Sequence, residues 1–80
     1  MLRPTIYADF HNADSQGRVR LNCAGTIRDL AEKRISLNEG LQLTLSDYDE
    51  LEVEGNAHFA EEEGLWVALI DWNAIRQRSA

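Results

Sequence analysis

Apolar and polar residues alternate in short, strict bursts along this chain. Val19, Leu21 and Cys23 alternate with Arg18, Arg20 and Asn22, and Leu41, Leu43 and Leu45 alternate with Gln42, Thr44 and Ser46. A period of two sends successive side chains to opposite faces of a β-strand, so each burst predicts a strand with one buried and one wetted face. Residues 5–11 read as the first strand, with Ile6, Ala8 and Phe10 inward and Thr5, Tyr7, Asp9 and His11 outward. Residues 18–24 form the second, and Gly25 marks a bulge or bend after it. Residues 41–46 form the third. Residues 51–60 form the fourth, with Leu51, Val53, Ala57 and Phe59 inward, Glu52 and Glu54 outward, and Gly55 at a bend. The fifth, residues 65–72, is apolar on both faces, which predicts a central or barrel-closing strand.

Between the second and third strands the period changes. Residues 26–34 have helical character, with two overlapping capping-box patterns, Thr26 to Asp29 and Asp29 to Glu32. Leu30 would pack inward with Ile27 or Ala31. So short a helix cannot stand alone and must cover one end of the sheet. Asp71 is placed to cap a last turn at residues 73–75, beyond which residues 76–80 should fray. The expected fold is mostly β: a small five-stranded antiparallel barrel with one short helix between strands two and three. SH3-like and OB-like barrels both fit, and the tight run of strands three to five favours the SH3-like form.

Eighty residues predict one domain, residues 1–80. A chain of this size buries little more than about 60% of its unfolded surface, so each apolar position counts. Cys23 is the only cysteine, which excludes an internal disulfide and suggests a buried thiol in a reducing compartment. The first residues open no long apolar run, so neither a signal peptide nor a membrane span is drawn, and a cytoplasmic protein is expected.

Charge divides the chain. The first forty residues carry six basic and five acidic side chains; the second forty carry two and nine, for a net charge of −6. No lysine or arginine falls within 47–63. That field repels nucleic-acid backbones and suits a basic partner. The candidate contact surface is therefore Asp47, Tyr48, Asp49, Glu52, Glu54, Glu61, Glu62 and Glu63, with Trp72 as an exposed aromatic beside them.

Other constellations carry less. Asn12-Ala13-Asp14-Ser15-Gln16-Gly17 has the start of a calcium loop, but Cys23 stands where its last acidic ligand belongs. His11, His58 and Cys23 lack metal-ligand spacing. No nucleophile, base and orienting group converge, so neither enzymatic activity nor a cofactor is expected. Arg18, Arg20, Arg28 and Arg34 are an alternative nucleic-acid surface, set against the simpler expectation that Arg18 and Arg20 pair with Glu52 and Glu54 across strands. A homodimer through a strand edge is a further possibility.

Several segments together resemble a set of short bacterial proteins of no assigned function: Tyr7-Ala8-Asp9-Phe10, Arg18-Val19-Arg20-Leu21-Asn22, Glu39-Gly40-Leu41, Leu51-Glu52-Val53-Glu54-Gly55 and Trp66-Val67-Ala68-Leu69-Ile70-Asp71-Trp72. That resemblance implies no activity. Residues 35–72 also resemble SH3-like barrels in pattern, without the aromatic-rich first loop of peptide-binding members and more acidic than the RNA-binding ones. The expectation is a non-enzymatic interaction or regulatory module whose acidic face takes a basic protein.

Overall fold

A computed structural model describes residues 3–77. Along the chain run β1 (Thr5–Tyr7), β2 (Val19–Arg20), helix α1 (Ala24–Glu32), β3 (Gln42–Ser46), β4 (Leu51–Ala60), β5 (Leu65–Ile70), a 3-10 turn (Trp72–Ala74) and β6 (Arg76–Gln77). One curled, mixed sheet takes the strands in the order β1-β3-β4-β5-β2, with β6 added to β4, and forms a half-barrel. The ten-residue β4 is its spine. β3 flanks it on one side, and β5 and β6 share the other.

The period-two pattern builds the core. Ile6, Leu45 and Val53 meet across β1, β3 and β4, and Ala57, Ala68 and Val19 meet across β4, β5 and β2. All six are buried, with Phe10, Leu30, Ile35, Leu37, Trp66 and Ile75 packed against the cluster. Gly55 lies opposite Leu43 and Ile70, and a Cβ there would come within 2.8 Å of Ile70 Cγ2. The strands approach that closely because glycine has no side chain to place.

The sheet is mixed, not fully antiparallel as its sequence pattern suggests. β1 runs parallel to β3, Thr5 opposite Thr44 and Tyr7 opposite Ser46. Parallel neighbours need a crossover, and here β2 and α1 lie within it. Pairing along β1 uses alternate residues: Thr44 N–H donates to the Pro4 carbonyl and Ala8 N–H to the Ser46 carbonyl. The polar backbone groups of Thr5 and Tyr7 therefore face the open edge. Three of these four groups are met by side chains of α1. Asp29 Oδ2 accepts from Tyr7 N–H at 2.8 Å, Thr26 Oγ1 donates to the Tyr7 carbonyl at 2.6 Å, and Lys33, the C-cap residue, donates its Nζ to the Thr5 carbonyl. Spacings of three and four residues put all three on one helical face.

Other expectations are corrected for related reasons. α1 begins at Cys23, its N-cap, rather than at the capping-box residues; Thr26 and Asp29 point to β1 instead of to their own helix end. That start ends β2 at Arg20 and leaves Cys23 half-buried, its Sγ 2.9 Å from Thr26 Oγ1. Gly25 is a helical residue pressed on the Tyr7 ring, where a Cβ would lie 2.7 Å from Cδ2. Ile27 is 55% exposed and Ala31 is exposed, so Leu30 packs inward without them. β1 stops at Tyr7, and Phe59, though in the inward register of β4, is 37% exposed at its end. Asp71 caps the last turn by accepting from Asn73 N–H. Arg76 and Gln77 then pair as a sixth strand instead of fraying; residues 78–80 lie outside the described residues.

Thr26 is fully buried, so Thr26→Val keeps the shape and strips the hydroxyl from the Tyr7 carbonyl. A buried acceptor left unmet costs about 1–3 kcal/mol. The unfolding free energy should fall by that amount, read as a lower urea midpoint with an unchanged m-value.

Candidate functional site

Parallel pairing of β1 with β3 sends both chains out of the sheet at the same end. Residues 8–11 follow Tyr7 and residues 47–50 follow Ser46, so two segments far apart in sequence emerge side by side. Between them lies a groove of about 280 Å³ lined by Tyr7, Asp9, Phe10, His11, Asp47, Asp49 and Leu51. Its walls combine the rings of Tyr7, Phe10 and His11 and a leucine with three carboxylates, and among the described residues no lysine or arginine lines it.

Each wall is held from behind. Asp47 Oδ1 accepts from the backbone N–H groups of Asp49, Glu50 and Leu51 at 2.8–3.0 Å, which folds residues 47–51 into a tight turn. Those donors, Leu51 N–H foremost, hold the Asp47 carboxyl below its ordinary range. Tyr48 takes a left-handed backbone with φ of +59°, uncommon for a bulky residue. Its side chain is tied down in return: the hydroxyl donates to Asp29 Oδ2 at 2.7 Å, Lys33 Nζ sits 5.6 Å over the ring, and the ring lies 6.2 Å from that of Tyr7. Burial, then the bond to Asp29, pushes the Tyr48 hydroxyl up. Burial also pushes the Asp29 carboxyl up, but bonds from Tyr48 and Tyr7 outweigh it and leave the group below the ordinary range. On the Phe10 side, Trp72 meets Phe10 edge-on at 6.5 Å and donates its indole N–H to the Gly17 carbonyl at 2.6 Å. Trp72 remains 42% exposed.

The acidic residues singled out by charge do not form one surface. Asp47 and Asp49 line the groove, with Tyr48 and Trp72 behind its two aromatic walls. Glu52 and Glu54 lie along β4 and pair with Arg76, which holds Glu54 below its ordinary range. Glu61 and Glu62 belong to a second groove of about 280 Å³, with Glu39, His58 and Phe59, beyond the far end of β4. At about 3.3 Å per residue, ten residues of strand put roughly 30 Å of chain between the two ends. In the second groove Glu39 Oε2 and His58 Nδ1 are 2.7 Å apart.

The arginines are likewise divided. Arg18 pairs with buried Asp14 and with Glu62, and Arg20 forms a two-armed pair with Glu63 at 2.8 Å to each oxygen. The partners of Arg18 and Arg20 are thus the loop acids Glu62 and Glu63, not Glu52 and Glu54, because β4 pairs with β5 and not with β2. Arg28 and Arg34 are exposed. The loop at residues 13–18 closes on Asp14, which accepts from Gln16 N–H, Arg18 N–H and Arg18 Nε. Among the described residues no group of three or more His, Cys, Asp or Glu side chains is placed to hold a metal ion, and no helix is long and apolar enough to cross a membrane.

Charge alone does not pick out Tyr7, Asp9, Phe10, His11 or Leu51. Tyr7, Asp9 and His11 do share the wetted face in the period-two reading, and that was the available signal. Comparison with family models, with curated proteins and with solved structures finds no match to this chain.

Asp14, Asp29 and Asp47 all sit below their ordinary range when folded. The unfolded chain therefore binds more protons in acid. Stability is fully present above about pH 4–5, where unfolded carboxyls are ionised, and is lost as pH falls through the folded values. The urea midpoint should hold from neutral pH to about pH 5 and then drop. Asp29→Asn should start lower and drop less steeply.

Proposed function

We propose that the chain is a non-enzymatic interaction module, an SH3-like small barrel in its finer classification, that binds a basic segment of a partner protein. The observation that carries this reading is the groove at the β1–β3 end. Tyr7 and Phe10 offer ring faces and Leu51 an apolar contact, while Asp9, Asp47 and Asp49 supply negative charge around them. A lysine or arginine side chain matches both halves: its stem covers apolar surface and its head meets carboxylates and rings. Among the described residues, Asp49 makes no ion pair, and Asp9 has only the neighbouring His11, 3.4 Å away. Their charge is available to a partner. The net charge of −6 supports the same reading and weighs against phosphate backbones. Arg18 and Arg20, the core of the alternative nucleic-acid surface, are already neutralised by Asp14, Glu62 and Glu63.

A labelled alternating alanine–arginine peptide should bind at low salt, with affinity falling steeply as salt rises. Asp9→Asn with Asp49→Asn should weaken binding about tenfold without changing the unfolding free energy by more than about 0.5 kcal/mol. Binding that ignores both salt and these substitutions would contradict the proposal. So would tighter binding of single-stranded RNA than of the peptide.

A further inference from the structure

The acidic side of β4 already holds one basic strand, and it is the chain's own. β6 runs antiparallel to β4, with Arg76 opposite Glu52 and Gln77 opposite Leu51. The Arg76 guanidinium makes a two-armed pair with Glu54, Nη1 to Oε1 at 2.9 Å and Nη2 to Oε2 at 2.7 Å, and its Nε lies 3.6 Å from Glu52 Oε1. Two parallel N–H···O bonds are the geometry by which a carboxylate selects arginine over lysine.

The attachment is slight. Among the described residues two join the ladder, and both are exposed. Ile75 is the apolar anchor, half-buried against the core. So short an edge strand opens easily, and an exposed ion pair adds little. What holds β6 in place is the tether: a segment joined through the Trp72–Ala74 turn meets its site at an effective concentration on the order of millimolar.

We propose that β6 is an internal stand-in for the partner. An extended, arginine-bearing segment of another protein adds to β4 antiparallel, sets its arginine between Glu52 and Glu54, and displaces residues 75–77. Backbone pairing supplies affinity and the two glutamates supply selectivity, the usual division in strand addition. Direction ties this edge to the groove. β6 runs from Glu52 toward Leu51, and Leu51 itself lines the groove with Asp47 and Asp49. A partner strand continuing past Leu51 therefore arrives there with its next basic residue. The proposal rests on the reading that this side of the molecule takes a basic partner, and adds how the partner is held and what it must displace.

The test uses the full chain and a labelled peptide of its own residues 73–80, Asn-Ala-Ile-Arg-Gln-Arg-Ser-Ala. Arg76→Ala unpins the internal competitor, so this variant should bind the peptide about threefold tighter than the unaltered chain, and Arg76→Lys should gain less. Adding Glu54→Gln to Arg76→Ala should abolish the gain. In the unaltered chain, saturating peptide should shift the backbone amide resonances of Arg76 and Gln77 while those of Ala57 and Ala68 stay put; the latter pair also report that each variant is folded. Equal or weaker binding by Arg76→Ala, a gain that survives Glu54→Gln, or unmoved Arg76 and Gln77 resonances at saturation would each overturn strand replacement. If binding depends on Asp9 and Asp49 but not on Arg76, strand replacement fails and the groove reading stands. If neither chain binds any basic peptide, both fail. A concentration-dependent dimer of Arg76→Ala with no gain in peptide binding would assign the edge to a second copy, and overturns the proposal as well.

Discussion

An edge strand presents a row of unmet backbone donors and acceptors, and in a small half-barrel those groups must find partners or water. Among the described residues β1 has β3 on one side and no strand on the other. The chain completes that edge with a helix instead of a strand, through Thr26, Asp29 and Lys33. These three side chains do locally what a seventh strand would do along its length. Most of the molecule's less ordinary features follow from that device: a glycine at position 25 so that α1 can press on the Tyr7 ring, and a fully buried threonine on an otherwise mostly exposed helix. An aspartate is also held ionised between β1 and Tyr48.

The same device reaches the candidate site. Asp29 accepts from Tyr7 of β1 and from Tyr48 of the turn after β3, so a single carboxylate joins the helix to both segments that frame the groove. Tyr48 keeps its left-handed backbone because Asp29, Lys33 and Tyr7 hold its side chain. Rigid walls matter for a charged groove. Carboxylates already fixed in place pay less ordering entropy when a cation arrives. Many of the acids are paired with arginine or histidine, among them Glu39, Glu52, Glu54, Glu62 and Glu63; the others differ in what they serve. Asp14, Asp29 and Asp47 serve the fold through backbone donors; Asp9, Asp49, Glu50 and Glu61 keep their charge toward solvent.

Period-two alternation made β3, β4 and β5 legible, and the bounds read for the fourth strand are those of β4, because each half-buried strand carries its own pattern and the turns between are polar. Direction is not encoded that way. Residues 5–7 alternate identically whether parallel or antiparallel to β3, and only the crossover through α1 decides. The groove was illegible for the same reason: Asp9 and Asp47 become neighbours only if β1 and β3 run the same way. Thr26 and Asp29 matched a local capping pattern, and a tertiary demand, the open edge of β1, took both side chains. Asp47 and Asp49 stood out by charge alone, whereas the pairing of Arg18 and Arg20 with Glu62 and Glu63 required knowing that β2 lies beside β5.

α1 stands in for a strand at the β1 edge, and native-state amide exchange reads that directly. In the unaltered protein the Tyr7 amide should be protected to about the same degree as those of Ile6 and Ala8, although it faces away from β3. In Asp29→Ala its protection should collapse while Ile6 and Ala8 keep most of theirs. A Tyr7 amide that exchanges as freely as an open edge in the unaltered protein would contradict the account.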